Sequence, residues 1–282
     1  MPATLYVVAT PIGNLEDITA RALRVLREVS VIAAEDTRRT AHLLARYAIS
    51  TPTTSLHEHN EHLKSAAIIE RLKRGESVAV VSDAGTPTVS DPGGRLVRAA
   101  IDAGIRLEPI PGPSASLAAL AVSGMPTERF VFMGFPPTRS KDRKTWLRDL
   151  GAAAATAIFF EAPHRIRRTL EDVHQAVGDK SVLVARELTK VHEELVRGPI
   201  SQVITRLSEP RGEYTVVVDI GYITNTAEIP VPDPAGIATE FGVMTKNKAV
   251  TRRQAISALA TKYGQSSREI YAAIEEAKSS GD

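Results

Sequence analysis

Short apolar runs rich in β-branched residues return along the front of the chain, separated by segments with helical spacing. This alternation constrains the fold more than any other feature. The runs are LYVVA at 5–9, VIAA at 31–34, VAVVS at 78–82 and a shorter one around Leu107. Each is too brief for a helix and too uniformly apolar to have a wet face, so each reads as a strand covered on both sides. Between them, residues 18–29 place Ile18, Ala22, Val25, Leu26 and Val29 on one helical face. Residues 63–72 do the same with Leu63, Ala66, Ala67, Ile69 and Leu72. Strand and helix in this alternation predict a largely parallel sheet with covering helices, to about residue 122.

After SGMPTER a second series begins, with FVFMGF at 130–135, TAIFFEA at 156–162, VLVARE at 182–187 and YTVVVDIGYI at 214–223. Helical spacing fills 164–177 and 199–207. The 282 residues are long for one core. The expected organisation is therefore α/β, with two α/β domains at 1–122 and 129–224. The Pro- and Gly-rich stretch TNTAEIPVPDPAG reads as a linker to a small helical tail at 235–282. The last helix of that tail opens on Ser266 and Glu269, a capping-box pattern. There is no cysteine, which excludes disulfides, thiolate metal sites and thiol nucleophiles. The N-terminus MPATLYVVATPIGN lacks a basic leader, and no stretch approaches the length of a membrane span, so a cytoplasmic protein with no membrane partner is expected.

In open α/β sheets ligands bind beyond the carboxyl ends of strands. Four loops stand there: TPIGNLED at 10–17, AAEDTRRT at 33–40, SDAGTPTVSDPGG at 82–94 and PGPSAS at 111–116. Their glycines and prolines bend the chain and leave backbone open to a ligand. Neither G-x-G-x-x-G nor a Walker lysine motif occurs, which speaks against ordinary dinucleotide or nucleoside triphosphate binding.

LYVVATPIGNLEDIT, AAEDTRRT, LHEHNE, VSDAGTPTVSDPG and PIPGPSAS, with FFEAPHR and ARELTKVHEE farther on, together resemble the ribosomal-RNA-methylating branch of the tetrapyrrole methylase-like superfamily. The resemblance runs from about residue 4 to 222 and more loosely through the tail. It implies a non-Rossmann fold with S-adenosylmethionine in a cleft between two α/β domains, a homodimer, and a 2′-O-methylated cytidine in 16S ribosomal RNA of the small subunit as product. Matched by position, the implied cofactor contacts are Pro11, Gly85, Thr86, Val89, Ser114 and Ala115, with Phe160 and Leu188 from the second domain.

A ribose hydroxyl is weakly acidic, so a neighbouring carboxylate or imidazole would help by taking its proton. Asp36, His57 and Asp83 are the candidates, Asp36 first, because they stand at strand ends beside the expected cleft. The cluster His57, Glu58, His59, Asn60, Glu61 and His62 lacks the H-E-x-x-H order, and no metal is expected. Glu161, His164 and Arg165 in FFEAPHR read either as a cleft wall or as an ion pair at a helix start; Arg186, Glu187 and Lys190 in ARELTK read as positioning groups. For RNA, the expected surface is a basic loop at 138–146, where Arg139, Lys141, Arg143 and Lys144 would meet phosphates and Trp146 would offer a stacking face, with Arg165 beside them. Lys246, Lys248, Arg252 and Arg253 form a second basic patch. Two rivals remain: a methylase of a tetrapyrrole or other small molecule, and a non-catalytic RNA-binding assembly protein.

Overall fold

The computed structural model describes residues 3–208, 211–221, 232–246, 250–263 and 265–279; Lys248 and most of the expected linker lie outside them. The first sheet contains β1 (Thr4–Val8), β2 (Val31–Ala34), β3 (Thr53–Ser55), β4 (Val78–Val81) and β5 (Arg106–Ile110). Its order is β3-β2-β4-β1-β5 and every pairing is parallel. The helices between its strands are α1 (Ala20–Glu28), α2 (Thr37–Arg46), α3 (Glu61–Lys73) and α4 (Gly94–Asp102), and α5 (Ala115–Ala121) follows. Alternate strand residues face opposite ways. Val8, Ile32 and Ala79 thus meet Ala22, Leu26 and Leu43 on one side, while Leu5, Val31 and Val78 meet Ile68, Leu72 and Leu96 on the other.

The face expected for the third helix is corrected. Leu63, Ala66 and Ala67 point outward, and α3 instead buries Glu61, Ser65, Ile68, Ile69 and Leu72. The rotation brings the Glu61 carboxylate to the start of α4, where Oε1 accepts from the amides of Gly93 (3.1 Å) and Arg95 (2.7 Å). Those amides have no partner within the helix, so a carboxylate there is worth burying.

The second sheet holds β6 (Phe130–Phe132), β7 (Thr156–Glu161), β8 (Ser181–Arg186), β9 (Glu194–Pro199) and β10 (Tyr214–Asp219), in the order β6-β7-β10-β8-β9. Only β6 with β7 is parallel. One face packs on α6 (Ser140–Gly151), α7 (Ile166–Val177) and α8 (Ile200–Arg206). The other face takes α5, whose Ala119 and Leu120 meet Ile158, Leu183, Ala185 and Val217. Because α5 belongs by sequence to the front half but packs on the rear sheet, both sheets fall in one compact unit, 1–221, with a second unit at 222–282. In that second unit α9 (Pro234–Lys246), α10 (Arg252–Tyr263) and α11 (Ser267–Ser279) share a core of Ile237, Phe241, Leu259, Ile270 and Ile274. The Ser266–Glu269 capping box is formed, with Ser266 N donating to Glu269 Oε2 (2.7 Å) and Glu269 N to Ser266 Oγ (3.2 Å).

Candidate active site

The carboxyl ends of β1, β4 and β5 meet one end of the second sheet around a cavity of about 380 Å³. Since β10 runs antiparallel to β7, the first residues of β10 lie beside the last residues of β7, and both contribute wall. The cavity floor is fixed by a two-way bridge, Thr10 N to Gly85 O at 2.9 Å and Gly85 N to Thr10 O at 3.0 Å. Gly85 sits at φ +80°, a region that L side chains avoid, so this bend needs glycine. Thr88 and Ser90 adopt positive φ without that excuse, at 73° and 63°. Backbone strain of this kind persists only where the surroundings over-determine it. Here the bridge holds one end of the loop and the Glu61 carboxylate holds the other.

Gly85, Thr86, Val89, Ser114, Ala115, Phe160 and Leu188 all line this cavity, drawn together from separate loops and strands. Pro11 lines a smaller adjoining cavity instead, and its neighbour Ile12 takes its place on the larger one. Phe160 carries Phe132 and Phe135 at ring separations of 5.0 and 5.4 Å, which makes this wall aromatic. Among the described residues, the ionisable side chains lining the cavity are Asp91, Glu161, Glu213 and Tyr214, with no lysine or arginine. An apolar, aromatic and acid-rimmed cavity suits a ligand with a flat ring and positive charge, and disfavours a polyphosphate. S-adenosylmethionine, with adenine, a sulfonium and an ammonium group, fits that lining.

Asp91 is the residue that sequence reasoning missed. Asp-Pro-Gly-Gly reads as a bend, and nothing in the sequence says that the carboxyl ends up half-buried. In the structure its pKa is pushed up to about 6, chiefly by burial and further by the Glu35 and Asp83 carboxylates, with a hydrogen bond from Ser82 partly offsetting them. Glu35 is raised as well, again chiefly by burial, although Glu35 Oε2 accepts from Asp83 N at 3.2 Å.

The expected proton acceptors are placed otherwise. The Asp36 carboxylate caps α2, accepting from Arg38 N (2.9 Å) and from the Arg38 guanidinium (2.7 and 3.1 Å). Arg38 holds its carboxyl well below the usual carboxylate range, which makes it a weak base, and it lines neither cavity. His57 lies at the entry to α3 with Nε2 at 3.0 Å from Asn60 Nδ2, also outside both cavities. Asp83 lines the smaller cavity; its Oδ1 accepts from Asp36 N (3.0 Å) and its Oδ2 stands 3.5 Å from Arg39. Among the described residues no group of His, Asp and Glu is arranged to hold a metal.

The basic loop expected at 138–146 is corrected too: Arg139 precedes α6, and Lys141, Arg143 and Lys144 lie on that helix. Arg143 turns inward, with Nε 2.7 Å from Asp172 Oδ2 and Nη2 2.8 Å from Thr169 Oγ1. Trp146 is buried, donates from Nε1 to Met133 O (3.1 Å) and meets Phe159 edge-on, so it offers no stacking face. The helical register of α6 explains both: the side that carries Leu150 into the core carries Arg143 and Trp146 with it. Arg165 is likewise spent within the fold, on Pro136 O and on the buried Glu161 carboxylate at 3.3 Å. That pair, completed by Thr169 Oγ1 on Glu161 Oε2, supports the ion-pair reading of FFEAPHR while Glu161 still lines the cavity. Glu187 and Lys190 pair at 2.8 Å and Lys190 reaches Glu213 at 3.0 Å, bracing the loop that carries Leu188. Arg139, Lys141 and Lys144 remain exposed, as do Lys246, Arg252 and Arg253 in the second unit.

The family model for tetrapyrrole (corrin/porphyrin) methylases matches residues 4–204. The protein named ribosomal RNA small subunit methyltransferase I in Vibrio cholerae serotype O1 is 44% identical over 259 residues, covering 90% of this chain and 88% of its own. The protein of that name in Bacillus subtilis (strain 168) is 43% identical over 272 residues, covering 95% of this chain and 92% of its own. Among solved structures, a diphthine synthase superposes with a TM-score of 0.61 at 17% identity, covering 77% of this chain and 89% of its own. A cobalt precorrin-4 methyltransferase gives 0.57 at 17% identity, covering 76% and 94%.

Proposed function

The chain belongs to the tetrapyrrole (corrin/porphyrin) methylase family, and from that premise we propose that it transfers a methyl group from S-adenosylmethionine to 16S ribosomal RNA of the small subunit, at the 2′-hydroxyl of a cytidine. The observation that carries the donor is the apolar, aromatic cavity at the strand ends, with the Asp91 carboxyl in its lining. The acceptor class is supported by relatives of that name, which match through most of the chain, tail included. The same reading makes the enzyme a cytoplasmic homodimer; exposed apolar side chains such as Leu63, Leu117 and Val191 leave surface for a second copy. No helix among the described residues is long and apolar enough to cross a membrane.

The bound donor supplies an electrophilic methyl on a good leaving group, so the chain's own task is alignment, exclusion of water and removal of one proton. The Gly85 bend and the Phe160 wall provide the first two. Asp91, ionised above about pH 6, accepts the proton of the ribose hydroxyl as the new bond forms.

Incubation with methyl-labelled donor and purified small subunits should place label in 16S RNA at one position and protect that phosphodiester from alkaline cleavage. Label appearing only on an added tetrapyrrole would move the activity to small molecules. Absence of heat on titration with S-adenosylmethionine would favour a non-catalytic binding protein.

Arg139, Lys141 and Lys144 form the RNA-facing surface in this reading, with Lys246, Arg252 and Arg253 as a second patch. Changing the first three to glutamate should weaken subunit binding and flatten its dependence on log salt by roughly 0.7–0.9 for each phosphate that is no longer neutralised. Donor affinity should hold; a weakened donor Kd would remove the assignment. Arg143→Glu is not a clean probe, because it strands Asp172 and Thr169 inside the fold.

A further inference from the structure

A second cavity, of about 110 Å³, lies against the first. The same two bridged loops line both: Thr10, Pro11 and Asp83 line the smaller one, while Ile12, Ala84 and Gly85 line the larger, with Thr10 and Gly85 paired in the bridge. Its apolar lining is Pro11, Leu15 and Leu43, and its polar lining includes Arg39, His42 and Asp83. Arg39 and Asp83 approach to only 3.5 Å, and Arg39 is 65% exposed. This is a loose pairing, which a better partner for either group displaces at small cost.

We propose that this cavity is a base subsite, taking the pyrimidine ring of the acceptor nucleotide once it is turned out of its stack, with Asp83 and Arg39 reading the ring as cytosine. The inference rests on the reading of the protein as an RNA methylase and deepens it. An ionised Asp83 only accepts hydrogen bonds and Arg39 only donates them. Cytosine offers an exocyclic amine as donor beside the N3 and O2 acceptors, whereas uracil reverses the first two positions. Adenine presents a similar edge on a larger ring, which the smaller cavity disfavours. Contiguity with the donor cavity is what the chemistry requires: a ring held here keeps its ribose near the bridge, where the methyl must be delivered. Flipped bases are held this way, by edge hydrogen bonds within a closely fitting pocket.

The test uses the full chain and small subunits reconstituted on transcripts carrying cytidine or uridine at the methylated position. Wild type should strongly prefer cytidine. Asp83→Asn, which keeps an oxygen for the Asp36 amide but adds a donor, should shrink the cytidine-to-uridine ratio of kcat/KM by roughly tenfold or more. Arg39→Ala, at an exposed side chain that does not endanger folding, should raise the subunit KM by about tenfold and leave the donor Kd in place. An unchanged base ratio in Asp83→Asn together with an unchanged KM in Arg39→Ala overturns the subsite while leaving the methylase reading intact. Failure of wild type to methylate either subunit overturns both.

Discussion

Asp91→Asn should lower the single-turnover methylation rate at saturating donor by a factor on the order of 10²–10⁴, the range associated with loss of one positioned acid–base group. The substitution keeps the size of the side chain and its capacity to accept from Ser82 while removing its capacity to bind a proton. In the wild type, kcat/KM should rise about tenfold per pH unit up to about pH 6 and then level, reporting the ionisation of the free enzyme. The variant should lose that limb. Stability separates this role from a structural one. The folded carboxyl titrates near 6 against an ordinary 3.8, so across that window the native state holds a proton that the unfolded chain has released. Stability therefore falls as pH rises from about 4 to about 6 and stays reduced above. Asp91→Asn removes the burial of a charge, so at pH 7 it should melt at or above wild type while being inactive. A variant that melts lower and retains its rate would leave Asp91 with no part in proton removal.

The strands that build the donor cavity were legible because fully covered strands carry their own signature. LYVVA, VIAA and VAVVS could only be interior, and the glycine–proline loops that follow them mark where a ligand can approach backbone. What stayed hidden was anything decided by which way a helix turns. The spacing of 63–72 allows a face containing Leu63, but the unsatisfied amides at the head of α4 draw Glu61 inward and leave Leu63 78% exposed. The same blindness made TRSKDRKTW look like a loop of free cations, when α6 spends Arg143 on Asp172 and puts Trp146 under the sheet. β9 was missed because ELVRGP mixes charge, glycine and proline with only two apolar aliphatic residues, Leu195 and Val196, as an edge strand does when only one side is covered.

The acid–base chemistry shows the limit from another side. Asp36, Asp83 and Asp91 are alike as letters, each in a segment that joins a strand to the next helix. Their environments divide them into a cap whose proton affinity Arg38 suppresses, a carboxylate shared between a backbone amide and Arg39, and a half-buried acid with raised proton affinity. Arg38 is only two residues from Asp36, but Asp83 and Asp91 are set apart by Asp36, Arg39, Glu35 and burial, which only tertiary structure brings to them.

Gly13→Ala should raise the Kd for S-adenosylmethionine by at least about tenfold and destabilise the fold by roughly 1–3 kcal/mol, the cost of forcing one methyl into a filled contact. The tip of the first loop touches the loop after β8 here: a Cβ on Gly13 would stand 2.5 Å from Lys190 Cγ, 2.7 Å from Leu188 O and 2.8 Å from Thr189 Oγ1. Lys190 could swing aside, but the Leu188 carbonyl is backbone and cannot move alone. Its neighbours Glu187 and Thr189 already hold positive φ, at 51° and 66°, and Lys190 ties the loop down through Glu187 and Glu213. Relief of the clash must therefore push Leu188 and Ile12 apart, and both line the donor cavity. Gly94→Ala is the matched control, because a Cβ there meets nothing within 4 Å. At the first position of α4 the added methyl should stabilise by roughly 0.5–1 kcal/mol at unchanged donor affinity. Opposite signs for the same one-carbon change would locate the donor between the two sheets; equal, small effects at both glycines would mean that the cavity does not depend on the approach of these two loops.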